Sequence, residues 1–252
     1  MILLLAVVGG SVDAVMILGF NVLTGAQTGN TVLLGVAIAQ RHLGAALGST
    51  VSVASYVIGA ALGEFIIVRY RETSSGPWPS AVGPVLITEL ILLSCLLIFW
   101  RLVSPHPVQE TTCIVIAFAA SAMGVQSSAM LRLHGGPTTT YITGTLTTFA
   151  TEAIERLHLV AAGSASREDL TPMNGPSAVA RPWMYGSTWL VYVAGVVAGG
   201  FFFLRAREMA LLLPIVAIVV SIIVGIEGHD VAIELKEAPI AEANHQHKAK
   251  LV

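Results

Sequence analysis

Six apolar runs dominate this sequence, and each is long enough to cross a lipid bilayer: Ile2–Phe20, Leu47–Val68, Ala81–Val103, Thr112–Leu133, Trp183–Leu204 and Ala210–Ile226. A spanning helix needs about 20 mostly apolar residues, because a rise of ~1.5 Å per residue must cover ~30 Å of hydrocarbon. Two further runs are weaker. Val22–Ala39 contains Gln27, Thr28 and Asn30, and Tyr141–Ile154 is short and rich in threonine. As full spans they bring the total to eight helices; as half-helices or re-entrant segments they leave six. The expected fold is therefore all-α, a polytopic transmembrane helix bundle of six to eight helical segments.

The charge pattern agrees. Only 11% of the 252 residues are charged, against 55% hydrophobic, and the mean hydropathy is +0.79. A soluble domain of this size has about a quarter of its residues charged. The partner expected first is the lipid bilayer. A net charge of −2 with no basic run argues against nucleic acid. Cys95 and Cys113 lie inside apolar runs and read as small buried hydrophobes, so neither a disulfide nor a metal site is expected. The stretch Met1-Ile-Leu-Leu-Leu lacks a basic leader and reads as the start of a spanning helix, not a signal peptide. A polar loop covers 157–182, and residues 227–252 read as a soluble tail in which His245-Gln-His247 is solvated.

The chain also repeats itself. A shift of 115 positions lays Gly9 on Gly124, Ala14 on Ala129, Leu18 on Leu133, Thr24 on Thr139 and Thr28-Gly29 on Thr143-Gly144. Further on, a shift of 136 lays Tyr56, Gly59, Gly63 and Phe65 on Tyr192, Gly195, Gly199 and Phe201, and Arg69, Arg71 and Glu72 on Arg205, Arg207 and Glu208. Glycine matches come cheaply in membrane proteins, but paired Tyr, Phe, Arg and Glu at constant spacing do not. The organisation read from this is a first transmembrane repeat (1–103), a second (104–226) and the tail (227–252). Glycines one turn apart at Gly59/Gly63 and Gly195/Gly199 let helices approach closely, and the two copies are expected to pack, for example on each other. Three-span repeats are inverted and four-span repeats parallel. The six-span reading gathers more basic residues on one face, opposite Arg41, Arg101, Arg205 and Arg207, and both termini fall on that face, the cytoplasmic one.

Polar residues inside apolar runs are the candidates for function. Asp13 lies within the first run, where an isolated acid costs about 2.5–3.5 kcal/mol on insertion scales. Glu89 lies deep in the third. Both are read as proton or cation sites or as buried structural groups. Thr28-Gly29-Asn30 and Thr143-Gly144-Thr145 occupy matching points of the two weak runs. Interrupted segments at corresponding places in two halves point to a transport site, because a broken helix leaves N–H and C=O groups that can bind a ligand. Gln126, in the fourth run and matched to Ser11 under the shift of 115, offers uncharged hydrogen bonding. No nucleophile–base pair, metal cluster or nucleotide motif appears, so no enzyme and no cofactor is expected.

Gly10-Ser-Val-Asp13-Ala14, Thr28-Gly29-Asn30, Gly124-Val-Gln126 and Thr139-Thr-Tyr-Ile-Thr143-Gly144-Thr-Leu-Thr147 occur in this order, and together they resemble the YoaK family of bacterial membrane proteins, catalogued as a domain of unknown function. The resemblance covers most of 1–226. It implies a bacterial inner-membrane protein, loosely labelled a small-metabolite transporter. One departure is Ser127-Ser128 after Gln126, where the family often has Asn. The function expected from residues and resemblance together is a small-molecule carrier or channel. Its substrate site would hold Asp13, Thr28, Gly29, Asn30, Gln126, Thr143, Gly144 and Thr145 between the halves. A scaffold acting through the tail or the 157–182 loop is the alternative. The oligomeric state is open, with a homo-oligomer allowed.

Overall fold

The computed structural model describes residues 1–70, 82–103, 109–132, 142–161 and 181–226, and every element in them is helical. In chain order they are α1 (Ile2–Phe20), α2 (Gln27–Ala39), α3 (Leu43–Tyr70), α4 (Val82–Val103), α5 (Gln109–Arg132), α6 (Ile142–Ala161), α7 (Arg181–Ala206) and α8 (212–226). A 3-10 turn, Arg207–Leu211, joins the last two. The His245–His247 pair, the 227–252 tail and most of the 157–182 loop lie outside the described residues.

Among the described residues, five stretches are long and apolar enough to span a membrane. One of them, Trp183–Ile226, has 44 residues. Straight, it would be about 66 Å long, twice the hydrocarbon thickness. It turns back instead at Arg207, whose φ of 46° is left-handed. Leu211 then packs with Val15, Met16 and Leu96 at the end of the bundle where α1 finishes, the far end. Ile222 reaches Leu5 and Val82 at the end where the chain starts, the near end. So α7 and α8 run in opposite directions, and α1, α3, α4, α5, α7 and α8 each run between the two ends of the bundle.

The first weak run does not run from end to end. The chain leaves α1 at the far end, and α3 begins there, with Gly48 beside Val22 and Ile116. α3 then runs to the near end, where Ile67 packs with Leu5, Val82 and Met130. α2, between them, therefore returns to the end it left. Its 13 residues span only about 20 Å. α6 packs on α7, with Phe149 against Gly186. α5 finishes at the near end, and α7 starts there, because Gly195 lies against Val7, Gly199 against Ser11 and Phe203 against Trp100. Met1 and 226 thus share the near end.

The halves are interlaced. α1 packs along α7, and α5 along α3, while α4 lies against α5. The glycine pairs do not meet each other, as one sequence expectation had it, but seat the partner half's backbone. A Cβ on Gly59 would come within 2.1 Å of the Ser121 carbonyl oxygen, and one on Gly195 within 2.7 Å of that of Val7. Gly10 and Gly124 answer from the other side, each 2.2 Å from a tyrosine carbonyl oxygen, Tyr192 and Tyr56 respectively. Backbone contact this close needs small residues.

These pairs fix the register between α1 and α5. Gly10 matches Gly124, Val7 matches Ser121 and Ser11 matches Val125, a shift of 114. Burial agrees: Val8–Met16 and 122–130 are unbroken buried runs at that shift. The shift of 115 lays Thr28-Gly29 of α2 on Thr143-Gly144 of α6. Because Gly9 and Gly10 adjoin, either could have been laid on Gly124, and sequence matching chose the wrong one. Gln126 therefore corresponds to Val12, not Ser11, and Asp13 corresponds to Ser127.

Candidate functional site

The break in the first weak run lies just before Thr28-Gly29-Asn30, not within it. Asn21 adopts the left-handed conformation (φ 55°, ψ 32°) and its N–H closes α1 on the Ile17 carbonyl. The chain then dips inward through Val22–Ala26 and α2 begins at Gln27 with no side-chain cap of its own. Irregular backbone at membrane depth persists only if its polar groups are satisfied.

Asp13 performs that task from the neighbouring helix. Its Oδ1 accepts from the Thr24 N–H at 2.7 Å, the Gly25 N–H at 2.8 Å and the Thr24 hydroxyl at 3.1 Å. Its Oδ2 accepts from the Tyr192 hydroxyl at 2.9 Å. Four donors converge on one carboxylate that is 3% exposed. The carboxylate also sits ahead of the α2 N-terminus, where negative charge is favoured. Asp13 thus satisfies the N–H groups of the irregular segment that leads into α2.

Asn30 completes the work. Its amide oxygen accepts from the Leu23 N–H at 2.9 Å, and its amide nitrogen donates to the Leu23 carbonyl, to Gln27 Oε1 at 2.8 Å and to Ser52 Oγ at 2.9 Å. Ser52 Oγ donates to the same Leu23 carbonyl at 2.7 Å, and Gln27 Nε2 donates to the Thr24 carbonyl at 2.7 Å. The backbone groups that a broken helix was expected to offer a ligand are thus taken by the protein's own side chains. Thr28 is exposed and Gly29 half-buried, with Leu23 folded over it.

The remaining predicted residues do not gather here. Gln126 is fully buried and its Nε2 donates to the Leu5 carbonyl at 2.7 Å, towards the near end. Thr143 is exposed, and its carbonyl accepts from Thr147 Oγ1 at 3.0 Å. Gly144 is half-buried and Thr145 buried, all three on the first turn of α6. The Thr139–Tyr141 part of that motif lies outside the described residues. Glu89 is fully buried in α4, and among the described residues neither of its carboxylate oxygens has a hydrogen-bond partner. It shares no bonding partner with Asp13.

The pseudo-equivalent of the Asp13 cluster is chemically different. Tyr56, the match of Tyr192, donates to Ser127 Oγ at 2.8 Å, and Ser127 donates back to the Met123 carbonyl at 2.8 Å. Tyr192 was legible as a repeated tyrosine, but only the corrected register pairs it with Asp13.

Two cavities open at the far end, on either side of Phe20 and Asn21. One, of about 520 Å³, lies between the end of α1, α4, the start of α5 and the α7–α8 turn, so both halves line it. The other, of about 360 Å³, lies between α2, α3, the end of α1 and the start of α5. Neither is lined by Asp13, Asn30, Gln126 or Glu89. At the near end the described helices close on an apolar core around Leu5, Leu86, Val125 and Met130.

Arg207 lines the larger cavity from a left-handed backbone that costs an arginine about 1–3 kcal/mol. Nearby Arg101 is paired with Glu208 at 3.0 Å, and Arg205 stacks on the Phe201 ring at 3.5 Å. Among the described residues Arg207 makes neither kind of contact. Nothing in the sequence marked it beyond its place in the repeat.

Comparison with known proteins agrees with the architecture. A family model described as "Protein of unknown function (DUF1275)" matches residues 1–224. A relative, UPF0700 transmembrane protein YoaK of Bacillus subtilis (strain 168), is 30% identical over 159 residues, which cover 61% of this chain and 66% of that protein. No solved structure matches. A polytopic bundle of interlaced halves, with ordered motifs that the family model spans almost from end to end, belongs to the DUF1275 family of transmembrane proteins.

Proposed function

We propose that this protein moves a small molecule across a bacterial inner membrane, as a carrier or channel built from two inverted three-span repeats. The observation that carries this reading is the 520 Å³ cavity at the far end, lined by both halves and floored by closed packing towards the near end. Transporter sites lie at such repeat interfaces. The solute enters from the far end. The re-entrant tip at Thr24–Gly25 is the gate, and Asp13 is its latch. Thr28 and Thr143, exposed on the two re-entrant helices, contact the solute as it passes, while Asn30 holds the tip in shape.

The near end, which carries Arg69, Met1 and the end of α8, is the cytoplasmic side, and Arg101, Arg205 and Arg207 lie towards the other. Glu89 is the proton or cation site of the same proposal. A buried acid without hydrogen-bond donors is what a group charged and discharged during a cycle would look like in one state of it.

Uptake into proteoliposomes from a panel of labelled organic anions, cations and neutral metabolites tests the proposal. Asp13→Asn is expected to lower flux at least tenfold while the protein stays folded, about the effect of one ~1.4 kcal/mol contact on a rate. Glu89→Gln is expected to abolish dependence on a proton gradient. No flux for any class, or flux indifferent to Asp13→Asn, would remove the transporter reading.

A further inference from the structure

The larger far-end cavity has a consistent chemistry. From its lining we infer that it binds a small organic anion, a carboxylate or phosphate carried on a flat apolar body. The inference rests on the proposed function only in taking this cavity as the solute's entry.

One wall is aromatic. Phe20 and Trp100 have ring centroids 4.9 Å apart, and Trp100 and Phe203 6.2 Å apart, all three bordering the cavity. The opposite lining is polar. It includes Asn21 and Thr112 and, as the one charged residue among those described, the exposed Arg207. Among the described residues no carboxylate lines the cavity. Glu208, the neighbour of Arg207, is committed to Arg101 at 3.0 Å. Thr111 and Thr112 of α5 complete the lining.

A guanidinium with no partner among the described residues, at a cavity whose described lining holds no acid, selects for carboxylate or phosphate, which it meets with two parallel hydrogen bonds. A cation would meet an uncompensated like charge there. The left-handed backbone at Arg207 turns the chain back and sets this residue at the mouth. The anionic group of a membrane lipid carries the same chemistry as that of a soluble solute, so the two sources need separate arms in the test.

The experiment is equilibrium binding to the full-length protein in phosphatidylcholine nanodiscs, read by Trp fluorescence and calorimetry. Phenylacetate is the probe, with phenylacetamide as its neutral and phenethylamine as its cationic counterpart. Phenylacetate is expected to bind at least about tenfold tighter than either. Arg207→Gln is expected to erase that preference and Arg207→Lys to keep part of it, with unchanged thermal unfolding showing that both variants are folded. The binding is repeated with phosphatidylglycerol in the disc. Competition there means that a lipid headgroup occupies the site, and indifference means a soluble solute; either result keeps an anion in it. Equal affinity for all three probes, or a preference that survives Arg207→Gln, would overturn the inference. Because binding is measured without flux, an anion site in a protein that transports nothing would sink the transporter reading and leave this one standing.

Discussion

Two tyrosines in equivalent places, Tyr192 and Tyr56, reach across to two very different partners. Tyr192 donates to Asp13, which also gathers the exposed amides of a broken segment. Tyr56 donates to Ser127, which spends its own proton on the carbonyl one turn back in α5. The helix contacts around both are the same, glycine on backbone, at the same spacing. Packing therefore tolerated a change of chemistry at its centre. An acid at this depth is retained where main-chain donors need an anion; a serine suffices where the helix satisfies itself.

The comparison can be broken most severely at Asp13. Asp13→Ala leaves the Thr24 and Gly25 amides and the Tyr192 hydroxyl without an acceptor, and about 3–5 kcal/mol of stability should go with it. Thermal unfolding in detergent should report this, with amide exchange at Thr24 and Gly25 rising well ahead of the rest of the bundle. Asp13→Asn keeps one oxygen for the amides and should cost far less. If the two variants are equal, the carboxylate is not holding the tip.

A smaller effect tests the shared packing. Gly10→Ala and Gly124→Ala each push a methyl group against a backbone oxygen, and each should cost about 1–3 kcal/mol, by similar amounts. Clearly unequal losses would deny that the two seams are alike.

The hydroxyls sharpen the contrast. Tyr192→Phe removes a bond to a charged acceptor and should cost about 1.5–3 kcal/mol, whereas Tyr56→Phe removes a neutral one and should cost about 0.5–1.5 kcal/mol. Urea-induced unfolding of the two variants side by side measures the gap. The smallest effect belongs to Gly29→Ala. Its Cβ would meet only the end of the Leu23 side chain, at 2.6 Å, which can swing away, so stability should fall by less than about 1 kcal/mol.

The crossing helices were legible because lipid imposes a length and a composition that few other folds share. α1 falls on Ile2–Phe20 as read, and α4 ends at Val103 as read. The weak run Val22–Ala39 showed its polar interruptions but not where the chain breaks. The break comes at 21–26 because Asn21 ends one helix and Asp13 holds the irregular backbone at Thr24 and Gly25, and contacts across 11 residues leave no local pattern. Gln126 and Glu89 looked alike in sequence, as polar residues in apolar runs. Only packing separates them, one bonded to the Leu5 carbonyl and the other fully buried with no hydrogen-bond partner among the described residues. The far-end cavity had no signature at all, since Trp100, Asn21 and Arg207 come from three separate parts of the chain.

The exchange of long helices between the halves has a consequence for how the molecule is made. As synthesis proceeds, α1 and α3 enter the membrane before the helices they lie along, α7 and α5, exist. A chain released after residue 103 would hold two grooves of bare glycine and an aspartate whose tyrosine has not yet been translated. Assembly must wait for the last third of the message, and until then quality-control proteases should find the nascent protein an easy target.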